Sequence, residues 1–382
     1  AAEEAAIAAR LLVADGRAGH ALGLLTAAWS AARLARQPAL CREILDDLVA
    51  AALTDGSGPA VDHAHALVAA LPGGGDATAE ALLLAQNESM AAAYGASAAS
   101  LRGAGPMASP FLRRAYFGLR VRNAILGGVE PVEALIDESE IAGGGDVAFE
   151  CRVAVWRGLA AYQAARFDVA AAVLRRAVDS APDFFERTVA LANLALALSD
   201  GQRPAESIDV ASRLSAELDE RRLCSRLAKV RTTARICENA LGRVDRPDLD
   251  WIEASRIAND PWSHGLALTV EAGLAWRAGQ RALGLRWAEE AARVRRPPSH
   301  LGVNALAHAA ALLCGADAEA EVRRVLALAT GPRDSIVEAL AVLRLCGCTL
   351  SEAENELVRA WGREPVASRG NRRLLLSPAE VV

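Results

Sequence analysis

The stretch Gly158 to Pro182, GLAAYQAARFDVAAAVLRRAVDSAP, decides the fold. Its small residues Gly158, Ala170 and Ala177 stand where two helix backbones can approach closely, and Leu174 is placed to fill the groove between them. Pro182 follows the second apolar run, at a position where a helix ends. The stretch therefore predicts a pair of helices packed as a hairpin.

Similar turns recur on both sides of this stretch, each with a glycine and an arginine between apolar runs, at Ala14–Leu25, Ser199–Ile208 and Arg277–Trp287. Nearly every segment between glycine or proline breaks repeats apolar residues at three- and four-residue spacing, which is typical of helices with one buried face. The hairpin spacing is that of tetratricopeptide repeats. We predict an all-α fold, an irregular tetratricopeptide-like helical-hairpin solenoid (superhelix), in preference to a compact multi-helix enzyme.

Composition excludes several classes of function. The chain has 382 residues, 52% of them hydrophobic but only 4% aromatic, and a net charge of -5. This charge disfavours a large nucleic-acid-binding surface. Lys229 is the sole lysine and follows no glycine-rich loop, so the phosphate loop of an ATPase is absent and we expect no ATP hydrolysis by these residues.

The predicted location is cytoplasmic. Seven cysteines, an odd number at no regular spacing, indicate reduced thiols. Glu3 and Glu4 stand where a signal peptide would be basic, and even weakly charged stretches such as Leu301–Ala316 are too short to span a bilayer.

No pattern predicts catalysis, a metal or a cofactor. His63 and His65 face different sides of a helix, and Cys346 and Cys348 lack a second ligand pair. No nucleophile motif accompanies the remaining candidates His264, His300, His308 and Cys314. The glycine runs at 73–75 and 143–145 end in Asp rather than Lys and are interpreted as loops.

The segment Phe111–Asn123, FLRRAYFGLRVRN, is the leading candidate for a ligand- or partner-binding site. It combines aromatic rings with Arg113, Arg114, Tyr116, Arg120 and Arg122 in a chain otherwise poor in aromatics. A core helix with a basic outer face is the favoured interpretation, and Arg120 and Arg122 are then expected to point outward. The alternatives are one wall of a groove for an acidic ligand or partner and, less favoured, a nucleic-acid contact.

Trp262, in NDPWSHG, is a second candidate for lining a binding surface, because it follows Pro261 near the start of a helix.

The C-terminal residues Glu354–Val382, ENELVRAWGREPVASRGNRRLLLSPAEVV, form a different pattern: a helix, a polar arginine-bearing linker and a new helix start. Ser377 is placed as N-cap, Pro378 at the first helical position and Glu380 in the first turn, directly after Leu376.

In order and spacing this segment resembles the junction before the helix-turn-helix of LuxR-type transcription regulators, where an element EEL-RAG-RPRR precedes G---LTP-E--V. The matching residues are Glu356, Leu357, Arg359, Ala360, Arg363, Pro365, Arg369, Gly370, Leu376, Ser377, Pro378 and Glu380. Trp361 and Ser377 differ from the commonest residues of the pattern. The large ATP-binding, MalT-like branch of that family carries a long helical repeat region between an ATPase and the helix-turn-helix, and this chain is similar to that middle region.

The resemblance implies a helical-repeat sensor or interaction region at 1–365, followed at 366–382 by a linker and the first residues of a truncated helix-turn-helix domain. The expected function is non-catalytic binding of a small-molecule effector or a protein partner. DNA would be bound only through a helix-turn-helix that is missing from this chain. We expect no membrane association and leave homo-oligomerisation open. A free-standing tetratricopeptide-like adaptor for a protein or peptide is the alternative, and an all-α biosynthetic enzyme is the least favoured.

Overall fold

The structure of the chain is a computed structural model. It describes residues 2–15, 17–55, 58–70, 77–90, 93–104, 110–164, 166–201, 203–220, 224–244, 246–257, 261–294, 301–328, 333–363 and 375–376.

Within these ranges the chain forms twenty α-helices and no strand, which confirms the predicted all-α class. In chain order they are α1 (Ala2–Ala14), α2 (Ala18–Leu34), α3 (Pro38–Asp55), α4 (Gly58–Ala69), α5 (Ala77–Met90), α6 (Tyr94–Leu101), α7 (Pro110–Gly127), α8 (Val132–Gly143), α9 (Val147–Gln163), α10 (Phe167–Asp179), α11 (Phe184–Asp200), α12 (Pro204–Glu220), α13 (Cys224–Ala240), α14 (Leu249–Ile257), α15 (Pro261–Arg277), α16 (Arg281–Val294), α17 (Leu301–Leu313), α18 (Glu319–Leu328), α19 (Arg333–Leu345) and α20 (Glu352–Arg363).

The predicted hairpin at Gly158–Pro182 is formed by α9 and α10, which pack against each other. Ala170, Leu174 and Ala177 are buried. A Cβ added at Gly158 would lie 2.7 Å from Leu174 Cγ, closer than real Cβ contacts come. Glycine is therefore required where the two helices approach, as the spacing predicted.

The chain divides into two compact units. Unit 1 comprises Ala1–Leu194 with Leu214–Leu227, and unit 2 comprises Ala195–Arg213 with Ala228–Val382. The superhelix and the boundary at 365 remain predictions; residues 364–374 and 377–382 lie outside the described ranges.

Two hydrophobic clusters of unit 1 are formed by described residues. Helices α1 to α7 bury mainly alanine and leucine, whereas α7 to α9 surround a row of aromatic rings. In that row Phe117 contacts Phe149, and Phe149 contacts Trp156, edge to face at 5.9 Å in both cases. The few large rings of the chain thus fill the space between helices that small side chains leave.

The core of unit 2 is built around α15, α16, α17 and α19. The predicted turn at Arg277–Trp287 separates α15 from α16, and Gly279 adopts φ +75°, a conformation that favours glycine. Trp251, Trp287 and Trp361 are buried in this core. None of the helices within the described ranges is both long enough and apolar enough to cross a membrane.

Candidate ligand-binding cavity

Unit 1 contains a cavity of about 430 Å³ beside α6 and α7, and two of the predicted site residues line it. The lining residues are Gly95, Ala98, Leu101, Arg102, Tyr116, Arg120, Val129 and Glu130. A volume of this size falls within the range of small-molecule sites.

Close packing of α6 against α7 positions the cavity walls. A Cβ added at Gly127 would lie 2.5 Å from Tyr94 Cβ, so only glycine allows the end of α7 to come this near to the start of α6. Deeper in the same contact, the Asn123 amide donates to Ser97 Oγ (2.8 Å), and Ser97 donates to the Ala85 carbonyl (2.7 Å). Asn123 and Ser97 are fully buried, so these hydrogen bonds fix α6 on α7.

Arg120 lies at the centre of the site and is not the outward-pointing cation that the sequence suggested. Its guanidinium donates to Glu130 (2.6 Å) and to Glu138 of α8 (2.9 Å), and it stacks 5.4 Å from the centroid of the Tyr116 ring. Burial by itself would lower the pKa of Arg120, but the hydrogen bonds with the two carboxylates outweigh it and raise that pKa. Arg120 is therefore charged at any physiological pH, and much of its charge is neutralised locally.

Arg102 supplies the available positive charge of the cavity. It is exposed and, among the described residues, it forms no ion pair. Glu130, the acidic residue of the lining, is already bound to Arg120. An acidic group entering the cavity would therefore meet the Arg102 guanidinium, while Leu101, Ala98 and Val129 offer an apolar surface beside the Tyr116 ring.

The other three arginines of α7 do not line this cavity. Arg114 pairs with Asp146 at 2.8 Å and lies 3.8 Å from the buried Glu186, while Arg113 donates to the Ala142 carbonyl at 3.3 Å. Arg122 is half-buried and makes no ion pair within the described part of the chain. The structure brings Tyr116 and Arg120 together at one site, whereas Arg113 and Arg114 join neighbouring helices.

The remaining predicted positions lie elsewhere. The side chain of Trp262 lies outside the described residues, as do Ser377, Pro378 and Glu380 of the predicted helix start. Leu376 of that start is described and is buried in the core of unit 2.

One array in unit 2 has the residue types of a hydrolase triad. Ser255 Oγ lies 2.8 Å from His264 Nδ1, and His264 Nε2 lies 3.4 Å from Glu290. However, Ser255 is fully buried and donates its proton to the Ile252 carbonyl, so it is not placed to attack a substrate. The array is a polar contact that joins α14, α15 and α16, with Ser255 and His264 buried and Glu290 partly exposed.

No cluster of three or more potential metal ligands occurs among the described residues. His63 approaches Thr26 at 3.0 Å. All described cysteine side chains are free thiols, and burial raises the pKa of Cys151 to about 11, which keeps that thiol protonated.

Sequence reasoning missed Arg102, Glu130 and the contribution of α6 to the cavity. Arg102 precedes a glycine- and proline-rich break, and Glu130 follows the glycine pair at 127 and 128. Pairing α6 with α7 across that break would have brought them beside Tyr116, but no local pattern in the sequence specifies that pairing.

Comparison with protein-family models gives no match, and no curated protein matches the chain at a significant level.

Proposed function

We propose that this chain is the effector-binding helical-repeat region of a LuxR-type transcription regulator, and that it binds its effector without catalysing a reaction. The observation that carries the proposal is the unit 1 cavity, where Tyr116 and Arg120 of the candidate segment meet the exposed Arg102. In such a regulator the bound state would be passed to a helix-turn-helix that follows the repeat region and binds the DNA. The protein would act in the cytoplasm.

The cavity favours an effector with one acidic group and an apolar or aromatic body. A carboxylate can accept hydrogen bonds from Arg102 without breaking an existing ion pair, while the rest of the molecule packs on Tyr116 and Leu101. A doubly acidic effector would compete with Glu130 for Arg120 as well. The cavity would therefore select monoacids of modest size.

The C-terminal junction supports the family part of the proposal. Glu356, Leu357 and Arg359, which match the regulator pattern, lie on the exposed side of α20, with Arg359 and Glu356 paired at 3.2 Å. Val358 and Trp361 on the other side are buried. Helix α20 is thus docked on unit 2 by one face, and Glu356, Leu357 and Arg359 remain exposed on the other.

Titration with benzoate, phenylacetate and indole-3-acetate tests the proposed ligand chemistry. Ligand-observed NMR should detect binding of at least one of these acids to the whole chain, and Arg102→Ala should weaken it about fivefold or more, as for loss of a charge-assisted hydrogen bond. Arg42→Ala is the matched control, because Arg42 is an exposed arginine of α3 without an ion pair among the described residues. Equal affinities of the wild-type chain and the Arg102→Ala variant would remove the cavity from the proposal.

The reading frame beyond the Val382 codon tests the family assignment independently. If the chain belongs to such a regulator, the reading frame should continue into a recognition helix. A stop codon close to Val382 would favour the free-standing adaptor instead.

A further inference from the structure

Leu375 and Leu376 are fixed in the core of unit 2, far in sequence from the residues that hold them. They are 0% and 1% exposed and belong to the same hydrophobic cluster as α15, α17 and α19. Their polar partners lie 37 to 98 residues earlier in the chain. The two residues are therefore held by long-range contacts.

Their main chain is recognised at three atoms. One carboxylate oxygen of Glu338 accepts the N–H groups of Leu375 (2.9 Å) and Leu376 (3.0 Å). On the other side, Arg277 donates to the Leu375 carbonyl and also to the Asn239 side chain of α13. A carboxylate and a guanidinium thus bind the two donors and the acceptor of a dipeptide that bends at Leu375, which lets both N–H groups reach one oxygen.

The surface of α15 is shaped to admit this main chain. A Cβ added at Gly273 would lie 3.0 Å from Leu375 Cα and 3.1 Å from the Leu375 carbonyl oxygen. Any larger residue at position 273 would therefore press on the backbone of the dipeptide, which cannot turn away as a side-chain tip can. Glycine inside a helix costs about 0.5–1 kcal/mol of stability relative to alanine. The notch, which is the space left at Gly273 by the missing side chain, therefore lowers the intrinsic stability of α15.

Burial makes this recognition selective. With the dipeptide in place the Glu338 side chain is 0% exposed, so its charge is stabilised by hydrogen bonds rather than by water. Both leucine side chains are also out of solvent. A peptide that bound here would need two free N–H groups in succession and two apolar side chains, which excludes proline and charged residues at these two positions.

We propose that Glu338, Arg277 and Gly273 form a receptor for the main chain of an apolar peptide that bends at the bound position, occupied in cis by Leu375–Leu376. We call these three residues the dileucine receptor. It holds the chain at a defined point on unit 2 and, when that segment is released, binds a separate peptide of the same chemistry. The inference uses the contacts of unit 2 alone and does not depend on the proposed function.

The test uses the whole chain and a fluorescein-labelled peptide with the sequence of residues 371–380, NRRLLLSPAE. In the variant Leu375→Asp/Leu376→Asp the cis segment should leave the receptor, because two buried carboxylates would be prohibitively costly. Fluorescence anisotropy should then show peptide binding to this variant at least about tenfold tighter than to the wild-type chain, whose receptor is occupied.

Adding Gly273→Leu to the released variant should abolish that binding. Gly23→Leu is the matched control, because Gly23 lies in α2 with nothing within 4 Å of its Cβ position. A peptide that carries aspartate at the two leucine positions should not compete. Equal binding of the labelled peptide to the wild-type, released and Gly273→Leu chains would overturn the proposal.

Hydrogen exchange provides a second measurement that does not require the released variant to fold. In the wild-type chain the amides of Leu375 and Leu376 should be protected, and Gly273→Ala should reduce their protection at least about tenfold while amides of α2 and α3 keep theirs. Unprotected amides in the wild-type chain, or full protection in Gly273→Ala, would also overturn the proposal.

Discussion

The cavity of unit 1 and the C-terminal part of unit 2 use arginine and glutamate in opposite ways. At the cavity, Arg120 is the central charge, and its partners Glu130 and Glu138 are side chains that are 30% and 53% exposed. In unit 2, the central charges are the carboxylates Glu271 and Glu338, both 0% exposed, which accept main-chain N–H groups.

This difference separates contacts that can rearrange from contacts that fix the chain. An ion pair between partly solvated side chains contributes little to the stability of the fold, so its loss by substitution costs little. A buried carboxylate that holds backbone N–H groups cannot lose its partners without a large penalty. We therefore expect substitutions in unit 2 to affect stability more than comparable substitutions at the cavity.

Glu271→Ala should have the largest effect on stability. Glu271 accepts from Arg235 (2.8 Å) and from the Asp248 N–H (2.8 Å), and both groups would lose their buried partner. Loss of one member of a buried ion pair costs about 3–5 kcal/mol, and urea unfolding should show a decrease of that size.

Glu138→Ala at the cavity is the control for Glu271→Ala. Its carboxylate is half exposed, so its removal should cost no more than about 1 kcal/mol. Equal losses in the two variants would contradict the distinction between the regions.

Gly284→Ala should have the next largest effect. The added Cβ would lie 2.7 Å from Cys314 Sγ and 3.0 Å from the Ala272 carbonyl oxygen, so α15 and α16 would have to separate. Overpacking of this kind costs about 1–3 kcal/mol, measurable by thermal melting.

The matched control for Gly284→Ala is Gly118→Ala in α7, where the new Cβ would meet the Trp156 ring at an ordinary 3.7 Å. This variant should melt at the wild-type temperature or slightly above it, because alanine favours the helix. A lower melting temperature for Gly118→Ala than for Gly284→Ala would show that the glycine contacts are misassigned.

Arg120→Ala should cost less than Glu271→Ala, although it removes two ion pairs. Since both carboxylates remain partly solvated, we expect a loss of at most about 1 kcal/mol for each pair. Chemical denaturation gives the value, and the same variant in the acid titrations separates stability from binding. A loss equal to that of Glu271→Ala would mean that the cavity is as rigid as unit 2.

The smallest expected effect is a pH dependence of the free energy of unfolding that arises in unit 2. Burial lowers the pKa of His264 and the pKa of His308. At His264 the effect of burial is larger than that of Glu290 and Glu253, which raise the pKa. Arg256 lowers the pKa of His264 further. Below the ordinary value of 6.5 the unfolded chain therefore binds protons that the folded chain does not. The contribution of these two histidines to the free energy of unfolding should therefore decrease as the pH falls from about 7.5 to about 5.5, whereas Glu271, whose pKa burial raises, contributes in the opposite sense.

His264→Gln should reduce the slope of that pH dependence, and hydrogen exchange should locate the loss of protection in unit 2 rather than unit 1. An identical slope in the wild-type chain and the variant would exclude His264 as its source.

What could be predicted from the sequence was local. The Gly158–Leu174 contact follows from residues a few helical turns apart, whose spacing alone determines which faces meet. Tyr116 and Arg120 could be selected as chemistry-bearing residues for the same reason, because they lie on one helix.

What could not be predicted depends on which distant elements meet. The direction of Arg120 was expected to be outward, but α8 supplies Glu138 to receive it. Arg102 reaches the cavity through the packing of α6 on α7, and Glu338 meets the C-terminal leucines across 37 residues. None of these pairings leaves a periodic signal in the sequence.

The notch at Gly273 also has a consequence for the order of events during synthesis. Leu375 emerges from the ribosome 98 residues after Arg277, an interval of about 5–20 s at ordinary rates of translation. Throughout that interval the notch of α15 is not covered by Leu375, and Arg277 lacks the Leu375 carbonyl as a hydrogen-bond acceptor. Among the described residues of unit 2, Leu375 and Leu376 are therefore the last to join the core, and a chaperone or protease that recognises exposed apolar grooves has those seconds in which to act.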